Sequence, residues 1–284
     1  MRKVLFIITA FFTLTAINAQ KLEKKWETSG LEAPESVVGY KSFYLVSNVA
    51  GQPAEKNGLG YISQLNKKGE IIIKKWSIGF NAPKGLGIHG ENLYVADIDV
   101  VAVVDLNTGK IKKRFKAEGA TFLNDIEITS DGSVFITDTF GGNAIYRVKD
   151  GEISLWLKND LLNYPNGLKV KGDELFVSSW GVVTNPKTFE TEVPGKLLSV
   201  NLKDKSIKTL TEPFGNLDGL GILGEGFLVS DWITGEIMTI DKNNKTQVIL
   251  NLKPGSADLG LFENQEILIV PQMLEGKLTA YSVN

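Results

Sequence analysis

Short apolar runs separated by Gly, Asp, Asn and Lys recur along the chain from about residue 34. The clearest cover 43–48, 93–97, 134–138, 175–179, 227–231 and 267–271. Each is preceded by a second apolar stretch that opens on a polar residue. These openings read Pro34-Glu35-Ser36-Val37, Pro83-Lys84-Gly85-Leu86, Leu123-Asn124-Asp125-Ile126, Pro165-Asn166-Gly167-Leu168, Leu217-Asp218-Gly219-Leu220 and Ala257-Asp258-Leu259-Gly260. A third stretch follows each pair, at 60–62, 101–106, 144–148, 196–202, 236–241 and 277–283. Runs of this length bounded by turn formers predict strands joined by hairpins, and no segment sustains a helical period.

A repeat of about 40 residues carrying up to four strands is the period of a propeller blade. The pattern therefore predicts an all-β, six-bladed β-propeller with four-stranded blades. Fourth strands are expected at 71–76 and 110–115, whereas the sixth unit ends after its third. An orphan strand at 21–26, Lys21 to Trp26, is expected to complete that unit and close the ring, removing an exposed edge. Residues 20–284 then form one domain.

Residues 1–19 stand apart. Arg2 and Lys3 precede an apolar run from 4 to 17, and Ala19 supplies a small residue before Gln20. This is the layout of a cleavable signal peptide, too short for a comfortable membrane span. The expectation is an exported protein, periplasmic or secreted, with no membrane span in its mature form. The chain has no cysteine, so its stability must come from the core alone. Its 31 basic and 33 acidic residues give a net charge of −2, with no basic patch to attract nucleic acid. A small-molecule substrate is the expected partner; the oligomeric state is not readable.

Propeller topology decides which residues can meet. The innermost strand of each blade opens on one face of the disc, and the antiparallel second strand returns there. The first-strand openings Glu35, Lys84, Asn124, Asn166, Asp218 and Asp258 should ring one mouth of the channel. The loops after the second strands bring Asp138, Phe140, Trp180, Trp232 and Met273 around it, and the two longest loops, 49–59 and 181–195, lie on the same face. Any one of these Asp or Asn residues is ordinary turn chemistry. Two carboxylates and two amides at matched repeat positions are more than that. Glu35, Asn124, Asn166 and Asp218 suit a hard divalent cation such as Ca²⁺, which takes six to eight oxygen ligands. Zinc would want His or Cys, and the single His89 falls in a turn on the opposite face.

The motifs just quoted resemble those of the senescence-marker-protein/gluconolactonase/luciferin-regenerating-enzyme family of six-bladed propellers. The supporting motifs are Pro-Glu in the first unit, Leu-Asn-Asp-Ile with Ser-Asp-Gly in the third, Pro-Asn-Gly-Leu in the fourth and Leu-Asp-Gly-Leu in the fifth. The resemblance spans nearly all of the mature chain. It implies a catalytic divalent cation, usually Ca²⁺, held by Glu35, Asn124, Asn166 and Asp218. It further implies hydrolysis of a lactone or related ester, with Asp218 as general base or nucleophile and Glu35 as second candidate. Sugar-lactone hydrolases of the family often carry Arg two residues before the third-unit Asn. Here that position is Phe122, which favours an apolar or aromatic substrate. Phe122, Phe140, Trp180 and Trp232 are expected to wall its pocket, with Asp138, Asp258 and Met273 also in contact, and Asp125 is expected to orient Asn124. The alternative is a non-catalytic extracytoplasmic propeller that binds a small ligand, a glycan or a protein partner, since one fold hosts many functions.

Overall fold

The computed structural model describes residues 22–185, 190–262, 264 and 266–283; the signal peptide expected at 1–19 lies outside them. Alternating apolar runs pair in chain order into six four-stranded antiparallel sheets. The first comprises Pro34–Tyr40, Phe43–Asn48, Gly60–Asn66 and Ile71–Phe80, and the second Pro83–His89, Asn92–Asp97, Val100–Asp105 and Ile111–Lys116. The third has Leu123–Ile128, Val134–Asp138, Ala144–Lys149 and Glu152–Lys158, and the fourth Pro165–Lys171, Glu174–Ser179, Leu197–Asn201 and Ile207–Thr209. The fifth has Leu217–Leu223, Gly226–Asp231, Glu236–Ile240 and Thr246–Asn251. The sixth joins Gly260–Phe262, Ile267–Gln272 and Lys277–Ser282 to the N-terminal strand Glu23–Ser29. That last pairing runs antiparallel from Glu23↔Ser282 to Ser29↔Lys277, so the expected closure is present. Among the described residues helix is confined to short turns such as Thr139–Gly142, and none is long and apolar enough to cross a membrane.

The core lies between blades. A separate apolar cluster fills each blade–blade interface, for example Leu45, Ile62, Leu93 and Val95 between the first and second. Val37, Tyr44, Ile269 and Leu278 do the same between the first and sixth. Clusters at all six interfaces make the ring continuous. One expected loop is more ordered than the sequence suggested: within 181–195, Gly181–Asn185 pairs with Glu190–Pro194 as an extra hairpin over the rim. Its alternating Val-Val-Thr and Glu-Thr-Glu-Val runs carry a strand pattern that the length of the insertion masked.

A local irregularity repeats around the ring and positions the site. In the first five blades, the pairing of first and second strands shifts register between the strand's first residue and its fourth, as at Pro34/Val37 and Leu217/Leu220. The two residues between are bulged out of the ladder, a device that re-aims side chains. They are Glu35-Ser36, Lys84-Gly85, Asn124-Asp125, Asn166-Gly167 and Asp218-Gly219. Second-strand hydroxyls fasten the bulges. Thr137 Oγ1 accepts from Asp125 N and donates to Asn166 O of the next blade; Ser230 Oγ accepts from Gly219 N and donates to Ala257 O. Ser178 Oγ donates likewise to Asp218 O at 2.7 Å.

Bulges from neighbouring blades touch backbone to backbone. A Cβ on Gly85 would stand 2.4 Å from Asn124 O and 2.6 Å from Asp125 Cα, with no flexible atom to yield. Gly85→Ala should therefore force the inner strands apart and cost about 2–3 kcal/mol. That corresponds to a fall in Tm of about 4–12 °C, measurable by calorimetry.

Candidate active site

The bulges deliver five side chains to one mouth of the channel. Glu35, Lys84, Asn124, Asn166 and Asp218 line a single cavity of about 340 Å³, with Phe122, Phe140, Trp180, Trp232 and Met273 above them. This volume falls in the range of small-molecule sites. The aromatic rings form an arc over blades three to five. Phe122 meets Phe140 edge-on at 4.8 Å, Phe140 meets Trp180 at 5.6 Å, and Trp180 lies 6.0 Å from Trp232. Opposite them, Gly51, Gln52 and Pro53 of the 49–59 loop complete the wall.

Hydrogen bonds fix which atoms face the centre. Thr139 Oγ1 donates to Pro165 O at 2.8 Å, so it can only accept from Asn124 Nδ2, at 3.1 Å. Asn124 Nδ2 also donates to Asn166 Oδ1 at 2.8 Å. Asn124 Oδ1 is thereby turned inward, and it is buried without a hydrogen-bond partner. Glu35 Oε2 and Asp218 Oδ1 share that condition. Unpartnered buried oxygens are costly, and each calls for an explanation. Three of them converging in one cavity, two on carboxylates, fit a hard cation with oxygen ligands. Asn166 Oδ1 keeps a second lone pair for the same centre. No His or Cys lines the cavity, so the donors facing its centre are carboxylate and amide oxygens; among the described residues no group of three or more His, Cys, Asp or Glu is placed to hold a metal ion.

Electrostatics agree. Burial, then the neighbouring charges of Asp218 and Asp258, hold the Glu35 carboxyl well above the usual range. Burial and Asp125 push Asp218 up to about 7, against a hydrogen bond from Asn166 that lowers it. Burial brings Lys84 down to about 8. Its Nζ donates to Pro53 O at 2.8 Å, tying the mouth loop to the ring, and lies 4.3 Å from the centre of the Phe122 ring. Lys84 was readable as a ring member, but its anchoring of the mouth loop depends on a 31-residue separation that no local pattern reveals.

A pH dependence follows. A buried carboxyl with a raised pKa binds its proton more tightly in the folded state, so it stabilises the protein below the unfolded value. That stability is lost as pH rises through the folded value. Metal-stripped protein should thus lose Tm between about pH 4 and pH 8. Asp218→Asn should flatten the slope, and excess Ca²⁺ should do the same for the wild-type chain. Thermal melts in chelator across that range provide the check.

Three expected contacts are corrected. Asp258 does not join the mouth. Ser230 Oγ donates to Ala257 O as Ser178 Oγ does to Asp218 O, and Ser256 bridges Gln272 as Leu217 pairs with Asp231. Ala257 is therefore the sixth ring member, and Asp258 sits one residue deeper, where Gly219 and Asp125 sit in their blades. A one-residue slip moves a side chain to the other face. There Asp258 accepts from Ser36 Oγ at 2.6 Å and shares the lower channel with Asp125 and Lys169. Although burial disfavours its charge, the carboxylates of Glu127, Asp125 and Asp258 hold the Lys169 ammonium above the usual lysine range. Asp138 does not line the cavity; it accepts from the Thr121 and Phe122 N–H groups and fastens the loop entering its own blade. Asp97 does the same for Asn81 and Ala82, and Asp231 for Asn216. Asp125 does not orient Asn124 either. It accepts from the Ile126 and Leu168 N–H groups, stitching blades three and four together. His89 is exposed at the end of its strand, away from the cavity.

By sequence, no family profile and no curated protein matches the chain. By structure, it is similar to a gluconolactonase from Xanthomonas campestris with a TM-score of 0.70 at 14% identity, covering 96% of this chain and 94% of that one. A candidate gluconolactonase is similar at a TM-score of 0.69 and 13% identity, covering 94% and 93%. A virginiamycin B lyase from Staphylococcus aureus, solved as a catalytically inactive variant with quinupristin, follows at 0.61 and 16%, covering 93% and 99%. These likenesses establish the six-bladed fold, and the gluconolactonase resemblance carried by the motifs is met at that level.

Proposed function

We propose that the protein is a divalent-cation-dependent hydrolase of a lactone or related ester with an apolar or aromatic substituent, working outside the cytoplasm behind the leader at 1–19. The observation that carries this reading is the convergence of three unpartnered buried oxygens, Glu35 Oε2, Asn124 Oδ1 and Asp218 Oδ1, under an aromatic wall. With Asn166 they would hold a Ca²⁺ ion, which when bound supplies a Lewis acid to polarise the substrate carbonyl.

The chain's own residues supply the rest. Asn124 is locked by Thr139, and Asn166 bridges Asn124 and Asp218, so the donor set is organised before substrate arrives. Such preorganisation costs nothing at the moment of reaction. A carboxylate oxygen of Asp218 not engaged in ligation would take the proton of an attacking water, or attack directly. Glu35 is the second candidate; burial disfavours its charge and the Lys84 ammonium favours it. Phe122, Phe140, Trp180 and Trp232 exclude water and orient the substituent.

The test is a panel of aliphatic and aromatic lactones and esters, assayed with chelator and with added Ca²⁺. Turnover that disappears on chelation and returns with Ca²⁺ supports the reading. Ca²⁺ binding by calorimetry with no turnover across the panel would instead favour the non-catalytic binding propeller.

A further inference from the structure

A second groove opens on the same rim, with a volume of about 630 Å³. Phe122 and Phe140 line both it and the central cavity, so the two are separated by one pair of rings in edge-to-face contact. Beyond that pair the groove is walled by Ile98, Ala120, Tyr164 and Val183, the last contributed by the extra hairpin of blade four. Its charged members do not leave an exposed negative charge facing an apolar guest, because Asp99 is paired with both Lys56 and Lys116. The carboxylate and amide oxygens of the candidate site line the central cavity and not the groove.

We propose that this groove is the subsite for an extended apolar arm of the substrate. The scissile carbonyl sits over Glu35, Asn124 and Asp218 while an alkyl or aryl arm crosses the Phe122–Phe140 pair and lies against Ile98, Tyr164 and Val183. The substrate class narrows to esters or lactones bearing a medium-length hydrocarbon chain or its aryl equivalent. Compact sugar lactones, whose hydroxyls would face the Phe122 and Phe140 rings between cavity and groove, are disfavoured. The inference rests on the central cavity being the reaction site.

The experiment separates the two. Unreactive methyl ketones of rising chain length, from 2-pentanone to 2-decanone, are titrated with Ca²⁺-loaded protein and followed by calorimetry and by Trp fluorescence. Affinity is expected to rise about three- to fourfold per methylene, the increment for one buried CH₂, until the groove is filled. Thr121, exposed on the groove wall, provides the variant: Thr121→Trp fills the groove and should remove most of that increment. Val183→Trp closes it from the opposite wall and covers the case in which the first variant does not fold. An affinity independent of chain length, or an increment unchanged in a folded variant, would overturn the proposal. Because the ketones need no turnover, these outcomes stand whether or not the ester panel is hydrolysed.

Discussion

Asp218→Asn should lose at least about a thousandfold in kcat/KM, the scale on which a general base or an electrostatic partner counts, while becoming harder to unfold. The substitution keeps size and shape. It also keeps a partner for Asn166, whose amide can donate to the new side-chain oxygen as it does to the carboxylate. What disappears is a carboxylate whose charge is disfavoured by burial and by Asp125, and which, after burial itself, helps to raise the Glu35 carboxyl. Removing that charge stabilises the metal-free fold, the trade expected where a site is built for function at the expense of stability. Ca²⁺ affinity should fall at least about tenfold, since a neutral amide replaces an anionic ligand; even a modest part of the charge–charge term at low dielectric suffices. The combination is diagnostic: a higher Tm in chelator at pH 8, a weaker calorimetric Ca²⁺ response, and lost turnover. Retained turnover, or a lower Tm, would remove Asp218 from the centre of the site.

Asp218 is legible in the sequence because it occupies a repeated position in a repeated unit. Strand positions and blade number follow from apolar runs and turn residues because each blade is a local meander, and its hairpins are encoded within about 40 residues. The mouth residues follow from the repeat, since each occupies the same place after the strand's first residue. What is not encoded locally is the bulge register. Ser256 and Ala257 look less like a strand opening than Ala257 and Asp258, and the Ser230 hydroxyl bond to Ala257 O together with the Ser256–Gln272 bridge reveals the true alignment. Asp138 and Asp125 failed as site residues for a related reason. Asp138 Oδ1 is taken by N–H groups of the loop entering its blade and Asp125 Oδ2 by the Leu168 N–H of the neighbouring blade, 16 and 43 residues away. The aromatic arc was nameable residue by residue, but its continuity from Phe122 to Trp232 needs three blades in place at once. The groove beyond Phe140 is not readable from the sequence, because the length of the 181–195 insertion masks the hairpin that walls it.

Deleting residues 22–30 should cost most or all of the fold's stability. The N-terminal strand is the outermost member of blade six, yet its side chains reach blade one. Trp26 lies 6.1 Å from the Tyr44 ring and packs so closely on Gly69 that a Cβ there would fall 2.4 Å from the indole. Thr28 Oγ1 donates to Gly69 O at 2.5 Å, and Trp26 flanks the apolar cluster between the two blades. The strand therefore acts as a clasp: its backbone belongs to the last blade and its side chains hold the first. Each ladder hydrogen bond contributes about 1 kcal/mol net, and a strand paired from Glu23 to Ser29 spends several of them. Against a typical total of about 5–15 kcal/mol, that loss alone is severe. It also leaves Lys277–Ser282 as a bare edge whose residues are mostly buried, a template for aggregation. We expect the truncated chain to precipitate or to melt at least about 15 °C lower, taking several kcal/mol at about 2–4 °C each. A synthetic peptide of residues 22–30 should restore Tm in proportion to the logarithm of its concentration, since it binds the folded ring and not the unfolded chain. Scrambling the peptide, or replacing its Trp26 by Ala, should weaken that rescue, because register and the contact with Tyr44 and Gly69 are both required. A truncated chain that melts like the intact one would show that the interface between blades one and six closes the ring without the clasp.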